Sequence, residues 1–265
     1  MFRLLAQLIE EVKDRIQSAD WVSLFLDFDG TLVPIAATPG EPRLDADTAE
    51  ALRQIASQEF FTITIISGRA VEDLYSRIRV EGLIYAGNYG LEIFGRSLRF
   101  VEPLAWARRE ELETLCAALR EELCSVPGTL VEYKGLTASV HYRRAAQADI
   151  PGVRAAVRTA VSRHHGLFRV NAGRKVFEIL PDTEWNKGTA TRWINSHLND
   201  TPGLSIYIGD DTSDEAAFRE LPDAITIKVG AAPVTCARYQ LPDPAAVHEF
   251  LLWLSARETS RTGHA

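Results

Sequence analysis

The chain has 265 residues, 46% of them hydrophobic, and a formal net charge of −7, which suits one large globular domain or two smaller ones. Its basic residues are scattered and outnumbered by acidic ones, so we expect no nucleic-acid-binding surface. The three cysteines lack metal-ligand spacing, and the N-terminal segment is too acidic for a signal peptide. The sequence also has no apolar run that could cross a bilayer. We therefore expect a cytoplasmic protein without a membrane partner.

The first hundred residues alternate between helical and apolar strand patterns. The predicted elements are, in order, a helix over 3–18, a strand ending at 26, a helix over 45–57, a strand over 61–66, a helix over 70–78 and a strand over 83–86. Strands that alternate with helices at these lengths are typical of a parallel sheet with right-handed crossovers.

The pattern changes near Pro103 and returns at Lys187. Between them we predict helices over 105–123 and 150–164 and paired strands over 129–134, 137–143, 168–170 and 175–180, which indicates an inserted α+β module. After it we predict a helix over 187–198, a strand over 205–208, a helix over 213–220, a strand over 225–229 and a helix over 244–256. The sequence therefore predicts a doubly wound, Rossmann-like parallel α/β core formed by residues 1–104 and 182–265, with an α+β cap at 105–181.

Two acidic residues follow the first apolar strand. Asp27 and Asp29 are two positions apart, so they project together from the carboxyl end of the strand, the edge at which α/β sheets bind ligands. A fold keeps such a pair only if a cation or a proton reduces the repulsion. The alternative is an Asx turn, which explains one acid but not two. Gly30 lets the backbone turn, and Thr31 adds a hydroxyl.

Three later segments place further polar groups at strand ends or helix starts. Ser67 and Gly68 offer a hydroxyl and free amides where a helix begins, which favours an anion. Lys187 begins another helix, although alone it could be a solvated surface lysine. Asp210 follows an apolar strand and should reach the same edge as Asp27, whereas Asp214 could simply cap a helix. Asp27, Asp29 and Asp210 would then place three carboxylates at one edge, which suits Mg²⁺.

These groups suit phosphoryl transfer in two steps. Asp27 is assigned as the nucleophile that would form an aspartyl-phosphate. Asp29 is assigned as the acid that protonates the leaving oxygen and the base that then deprotonates water. Lys187 and Mg²⁺ would neutralise charge on the transferred group.

The segments occur in the order found in haloacid dehalogenase-like phosphatases. They are Asp-Phe-Asp-Gly-Thr-Leu at 27–32, Ser-Gly-Arg at 67–69, Lys-Gly at 187–188 and Gly-Asp-Asp-x-Ser-Asp-Glu at 209–215. Within that superfamily the chain most resembles the trehalose-6-phosphate phosphatase family. The residues that carry this closer likeness are Leu-Val-Pro-Ile at 32–35, Gly-Asn-Tyr-Gly-Leu-Glu at 87–92, Val-Glu-Tyr-Lys at 131–134, His-Tyr-Arg at 141–143 and the Val-x-Glu-Ile-x-Pro pattern at 176–181.

The resemblance implies a Mg²⁺-dependent hydrolysis of trehalose 6-phosphate to trehalose and phosphate. The expected metal ligands are Asp27, Asp29, Asp210, Asp211 and Asp214. The expected phosphate-binding residues are Thr31, Ser67, Gly68 and Lys187. A trehalose-phosphate synthase is the functional partner that this activity implies, and the oligomeric state is not predicted.

The residues expected to bind the sugar lie mainly in the cap. Glu132 and Lys134 share one strand face, which usually indicates a solvated face with cross-strand ion pairs. The resemblance favours hydrogen bonding to sugar hydroxyls instead. Lys175 and Glu178 are also assigned to the substrate, although simple alternation puts them on opposite faces unless a bulge intervenes. Asn88 completes the predicted set.

Three other interpretations remain open from the sequence. The chain could be another capped sugar phosphatase, acting on sucrose phosphate or a glycosyl phosphoglycerate, or, less in keeping with the pattern, a phosphomutase. It could also be a catalytically silent sugar-phosphate sensor, although the joint presence of Asp27, Asp29, Lys187 and Asp210 argues against a decayed site. One departure from the family is Tyr89, where relatives often have His, and it bears on substrate choice.

Overall fold

The computed structural model describes residues 2–36, 38, 40–198 and 203–256. It divides into two compact units, which we call the first unit (Met1–Phe100 with Trp185–Ala265) and the inserted unit (Val101–Glu184). The elements in chain order are α1 (Phe2–Gln17), β1 (Val22–Leu26), α2 (Ala46–Ala56), β2 (Phe61–Ile66), α3 (Val71–Ile78), β3 (Ile84–Gly87), β4 (Glu92–Gly95), β5 (Leu98–Val101), α4 (Pro103–Ala107), α5 (Arg109–Leu123), β6 (Leu130–Tyr133), β7 (Ala138–His141), α6 (Ile150–Ser162), β8 (Phe168–Gly173), β9 (Val176–Pro181), α7 (Lys187–Leu198), β10 (Leu204–Gly209), α8 (Glu215–Glu220), β11 (Ile225–Val229), β12 (Tyr239–Leu241) and α9 (Pro244–Ser255).

The first unit is built on an eight-stranded sheet with the order β12-β11-β10-β1-β2-β3-β4-β5. Strands β1 and β2 are apolar and buried on both faces, as expected for the centre of a parallel sheet. Leu24 on one face packs in a cluster with residues of α1, α2 and α9, whereas Phe25 on the other packs with residues of α7 and α8. The predicted doubly wound α/β architecture is therefore confirmed.

Parallel pairing of β1 with β10 fixes the position of the candidate site. Leu26 lies opposite Ile208 in the ladder, and the amide of Asp27 donates to the carbonyl of Ile208 at 2.9 Å. The segments that follow the two strands, one beginning at Asp27 and the other containing Asp210, therefore leave the sheet side by side.

Three strands were not predicted, and each lies toward an edge of the sheet. β4 and β5 extend the sheet beyond β3, and β12 extends it at the other edge. β4 pairs antiparallel with β3. Each of these strands has at most one buried residue, so they lack the continuous apolar stretch that marks a central strand.

Two predicted helices differ in detail from the structure. The helix expected over 105–123 is divided into α4 and α5 at Arg108. The helix expected over 213–220 begins with a 3-10 turn, Thr212–Asp214, before α8. None of the helices in the described part of the chain has the length and apolar composition that a bilayer crossing requires.

The inserted unit has its own sheet and its own apolar core. Its four strands are antiparallel in the order β6-β7-β9-β8. Val140 and Phe177 on one face of this sheet pack with Leu119 of α5 and Val157 of α6. The opposite face carries a polar row of Glu132, Ser139 and Glu178, with the apolar residues Leu130 and Val176 in the neighbouring row.

Candidate active site

Three carboxylates converge at the carboxyl edge of the large sheet. Asp27 follows β1, Asp210 follows β10, and Asp214 closes the turn before α8. Each contributes one oxygen to a group in which all three oxygens lie within 4.8 Å of one another. We call these three residues the acid cluster. Like charges this close require a cation or protons to offset their repulsion.

Lys187 supplies one positive charge to the acid cluster. Its Nζ donates to Asp27 Oδ1 and to Asp214 Oδ1, each at 2.7 Å, and its side chain is only 2% exposed. Burial acts to lower the pKa of Lys187, but Asp214 and Asp27 outweigh it, and the pKa is raised above its ordinary value. Lys187 is therefore a buried ammonium that links the segment after β1 to the turn before α8, which excludes the surface-lysine alternative.

The acid cluster has the features of a divalent-cation site. Asp27 Oδ2 and Asp210 Oδ1 are buried and have no hydrogen-bond partner among the described residues. Burial raises the pKa of Asp27 well above its ordinary value, and the pKa of Asp210 is raised to about 6 by burial and by Asp214 and Asp211. A hard divalent cation at this position would satisfy both orphaned oxygens and offset the repulsion among the carboxylates.

The close approach of Asp210 depends on a glycine. Gly30 has φ +90°, and a Cβ at this position would lie 2.2 Å from Asp210 Oδ2. A side chain at residue 30 would therefore both strain the backbone and displace the Asp210 carboxylate.

Asp214 is held more firmly than the other two acids. Its Oδ1 accepts from Lys187 and from the hydroxyl of Tyr207 at 2.8 Å, and its Oδ2 accepts from the amide of Asp211 at 2.9 Å. It also completes a capping box with Asp211. The helix-capping alternative thus describes part of what Asp214 does, while its contact with Lys187 adds a role in the acid cluster.

Asp29 and Asp211 lie outside the acid cluster in this structure. Both oxygens of Asp29 accept from Arg69, at 2.5 Å from Nε and 2.7 Å from Nη2. The same guanidinium donates to Asp73 at 2.8 Å. Asp211 is exposed and accepts from the adjacent hydroxyls of Thr212 and Ser213 at 3.4 Å. Their roles as metal ligands stay predictions.

The predicted phosphate-binding groups lie in the first unit beside the sheet edge. Thr31 is fully buried, and its hydroxyl has no hydrogen-bond partner among the described residues. Ser67 is buried directly after β2, and its Oγ accepts from the amide of Arg69 at 3.3 Å. A buried, unsatisfied hydroxyl next to a glycine-containing turn is suited to an incoming anion.

Asn88 has a buried hydrogen-bonding role. It has no exposed surface, and its Nδ2 donates to Glu92 Oε1 at 2.8 Å. Glu92 Oε1 also accepts from the amide of Val71 at the start of α3. The pair therefore ties the turn after β3 to a helix start, and the substrate contact assigned to Asn88 stays a prediction.

Two further buried residues near the acid cluster were not identified from the sequence. The ammonium of Lys228, on β11, donates to the backbone carbonyl of Asp210, and the residue is 5% exposed. Tyr207, on β10, is fully buried and donates to Asp214. The available signal was a polar group within an otherwise apolar strand, as in Ile-Thr-Ile-Lys-Val over 225–229.

The polar face of the inserted unit joins Glu132, Ser139 and Glu178 in one cross-strand row. Lys134 Nζ lies 3.1 Å from Glu178 Oε2, and Ser139 donates to the same oxygen at 2.8 Å. Glu132 Oε2 lies 2.8 Å from His141 Nε2. The cross-strand pairs expected of a polar face are present, and they hold alternating donors and acceptors in fixed positions.

Lys175 differs from the expectation of simple strand alternation. It lies in the turn between β8 and β9, with φ 64°, rather than within a strand. Its side chain is therefore not assigned to a sheet face by counting from Glu178, and its contact with substrate stays a prediction.

The comparisons with known proteins agree with this architecture. A sequence profile described as trehalose-phosphatase matches residues 25–244. The chain is 38% identical over 237 residues to a trehalose-phosphate phosphatase of Mycobacterium marinum, which covers 86% of this chain and 60% of that protein. The chain thus spans about 60% of the length of the curated relatives it matches.

Two solved structures show the same fold. A trehalose-6-phosphate phosphatase related protein superimposes with a TM-score of 0.79 at 24% identity, covering 88% of this chain and 96% of that chain. The C-terminal domain of a C. albicans trehalose-6-phosphate phosphatase gives a TM-score of 0.78 at 21% identity, covering 95% and 96%. At these identities the likeness concerns the fold alone.

Proposed function

The chain belongs to the trehalose-phosphatase family, and we propose that it hydrolyses trehalose 6-phosphate to trehalose and phosphate. The observation that carries the proposal is the buried ammonium of Lys187 between Asp27 and Asp214, beside orphaned oxygens of Asp27 and Asp210. This arrangement supplies a carboxylate nucleophile next to fixed positive charge, which is what phosphoryl transfer requires.

The reaction proceeds through a covalent intermediate on Asp27. A carboxylate oxygen of Asp27 attacks phosphorus, the bond from phosphorus to the sugar oxygen breaks, and Asp29 gives that oxygen its proton. Water then attacks the phosphorus of the aspartyl-phosphate while Asp29 takes the proton of the water. The bond from phosphorus to Asp27 breaks, which releases phosphate and restores both carboxyl groups.

Arg69 controls when Asp29 can act. Because both oxygens of Asp29 accept from Arg69, the carboxyl group must leave this contact, at least in part, before it can carry a proton to the sugar oxygen. Arg69 keeps a second partner in Asp73 when it does so. The exchange therefore leaves no unpaired guanidinium, which lowers the cost of freeing the acid.

Mg²⁺ is the cation that best fits the acid cluster. Asp27 and Asp210 would hold it, because their orphaned oxygens are the free ligand positions, and Asp214 would complete the carboxylate set. When bound, the ion supplies charge neutralisation for the transferred phosphoryl group. Thr31 and the amides near Ser67 and Gly68 then orient the phosphate oxygens.

The polar face of the inserted unit binds the disaccharide. Glu132, Lys134 and Glu178 offer acceptors and a donor whose positions are set by their neighbours, and buried polar groups reject sugars that lack the matching hydroxyl. Asn88 and Lys175 remain candidates for additional contacts. A trehalose-phosphate synthase would supply the substrate, and we place the reaction in the cytoplasm.

A phosphate-release panel tests this function. Purified protein is given trehalose 6-phosphate, sucrose 6-phosphate, a glucosyl phosphoglycerate or glucose 6-phosphate, with Mg²⁺ or with EDTA. We expect release from trehalose 6-phosphate to exceed the others and to stop in EDTA. Preference for another sugar would identify a different phosphatase, phosphate retained on the sugar would identify a mutase, and binding without release would identify a sensor.

Asp27→Asn is the matching test of the nucleophile. The variant keeps the volume of the side chain, and we expect its turnover to fall by roughly 10⁴-fold or more with an unchanged circular dichroism spectrum. Glu132→Ala serves as the control for the sugar site, since it should reduce turnover of the true substrate only. Substantial phosphate release by Asp27→Asn would remove the nucleophile assignment.

A further inference from the structure

Three consecutive residues after β3 have left-handed backbone conformations. Asn88, Tyr89 and Gly90 have φ values of 49°, 63° and 87°. Gly90 adopts such a conformation freely and Asn tolerates it, but a bulky aromatic residue does so only under strain. Tyr89 is therefore the residue of this turn whose side chain makes the left-handed backbone conformation unfavourable.

The strained turn is held by hydrogen bonds to the loop after β2. The amide of Asn88 donates to the carbonyl of Arg69 at 2.6 Å, and the amide of Tyr89 donates to the carbonyl of Ser67 at 2.8 Å. The indole of Trp185 donates to the carbonyl of Gly90 at 2.7 Å. The surrounding structure thus fixes this backbone against the segment that we assign to phosphate binding.

The ring of Tyr89 lies directly against Gly68. A Cβ built on Gly68 would be 2.7 Å from Cζ of Tyr89 and 2.8 Å from its hydroxyl oxygen. Gly68 must therefore lack a side chain for the ring to occupy this position. Tyr89 as a whole is half-buried, so the residue combines a fixed position with some accessible surface.

The backbone of this turn does not need an aromatic side chain, because glycine or asparagine would satisfy it with less strain. We propose that Tyr89 is a specificity-determining residue whose ring, fixed against Gly68, contacts the sugar of the bound phosphate ester next to the phosphate. The proposal rests on the phosphatase function proposed above. A residue that borders the phosphate site contacts whatever group the phosphate carries, and an aromatic ring offers a large, rigid surface for it.

The test uses Tyr89→Gly with Arg79→Gly as its matched control. The backbone of Arg79 is also in the left-handed conformation, with φ 51°, but this residue is exposed at the end of α3. Steady-state kinetics with Mg²⁺ are measured on the sugar phosphate that the wild type hydrolyses best and on acetyl phosphate, which carries no sugar. Melting temperatures are recorded for each protein.

We expect Tyr89→Gly to raise KM for the sugar phosphate by about tenfold or more, with KM for acetyl phosphate within about twofold of the wild type. Its melting temperature should match or exceed that of the wild type, because backbone strain is relieved. Arg79→Gly should match the wild type in both KM values. Tyr89→Asn, which suits the same backbone, repeats the measurement if Tyr89→Gly folds poorly.

Two results would overturn the proposal. An unchanged KM for the sugar phosphate means that the ring makes no contact, and an equal rise for both substrates means that Tyr89 only shapes the phosphate loop. A failure of the proposed function is seen separately, because the wild type would then release no phosphate from any sugar phosphate before a variant is made.

Discussion

Neighbouring acids at the sheet edge have different surroundings and therefore different expected chemistry. Asp210 is part of the acid cluster and has a buried, unpartnered oxygen, whereas Asp211, one residue later, is exposed to solvent. Asp29, two residues after Asp27, is held by two hydrogen bonds from Arg69. Asp210 and Asp29 are both aspartates, but their burial and their hydrogen-bond partners differ. These differences make Asp210 the candidate metal ligand and Asp29 the candidate acid.

Magnesium binding should distinguish Asp210 from Asp211. Saturating Mg²⁺ should raise the melting temperature of the wild type by about 5 °C, because a ligand that binds only the folded state stabilises it. Asp210→Asn should remove most of this increase by withdrawing a charged ligand from the acid cluster. The measurement is differential scanning fluorimetry with and without Mg²⁺. Asp211→Asn is the control, and an equal loss there would add Asp211 to the ligand set.

The start of helix α2 is secured by side chains that also reach a second helix. Asp45 caps α2 by accepting from the amide of Thr48 at 2.8 Å and from its hydroxyl at 2.7 Å. The same hydroxyl lies 2.8 Å from Nδ1 of His248 on α9. One cap therefore fixes both the start of α2 and its packing on the neighbouring helix.

Asp45→Ala should lower the free energy of unfolding by about 1 kcal/mol at pH 7. Burial acts to raise the pKa of Asp45, but the hydrogen bonds from Thr48 outweigh it and the pKa is lowered. The contribution of the cap is therefore complete above the pKa of the unfolded side chain, about 3.9, and is lost as the pH falls through the lower folded-state pKa.

Urea unfolding of wild type and Asp45→Ala at pH 7 and at pH 3 measures this effect of the cap. The difference between the two proteins should shrink at the lower pH. Asp45→Asn is the control, because asparagine also caps helices and should stay close to the wild type at pH 7. A difference between wild type and Asp45→Ala that does not change with pH would show that the ionised carboxylate is not what stabilises α2.

Each of the two units has its own apolar core. The first unit buries residues of α1, α2 and α9 on one face of its sheet and residues of α7 and α8 on the other. The inserted unit buries a separate cluster between its four-stranded sheet and its helices α5 and α6. Separate cores predict that each unit can lose stability without the other.

Leu119→Ala should destabilise the inserted unit selectively. Leu119 is fully buried in α5, and removal of such a side chain costs about 2–5 kcal/mol. Hydrogen exchange followed by mass spectrometry should show faster exchange in β6 and β7, with β1 and β2 unchanged. Leu254→Ala, in α9 of the first unit, is the control and should give the reverse pattern. Equal acceleration in both units would mean that they unfold as one.

Local patterns in the sequence were sufficient for the centre of the fold. The predicted strands over 61–66 and 225–229 and the predicted helix over 187–198 coincide with β2, β11 and α7. Continuous apolar runs identify strands buried on both faces, and parallel topology then brings the ends of β1 and β10 to one edge. The fold class and the approach of Asp27 to Asp210 therefore follow from local patterns along the chain.

Local patterns do not reveal which polar groups are partners, because the partners lie on distant segments. Lys187 and Asp27 are 160 positions apart, and no local pattern distinguishes a lysine buried between two carboxylates from one on the surface. The hydrogen bonds of Arg69 to Asp29, the contact of Lys228 with the carbonyl of Asp210 and the position of Tyr89 against Gly68 depend on distant segments in the same way. The periodicity of apolar residues indicates which face of a helix or strand is buried. The hydrogen-bond and ion-pair partners of a side chain depend instead on how elements far apart in the sequence pack together.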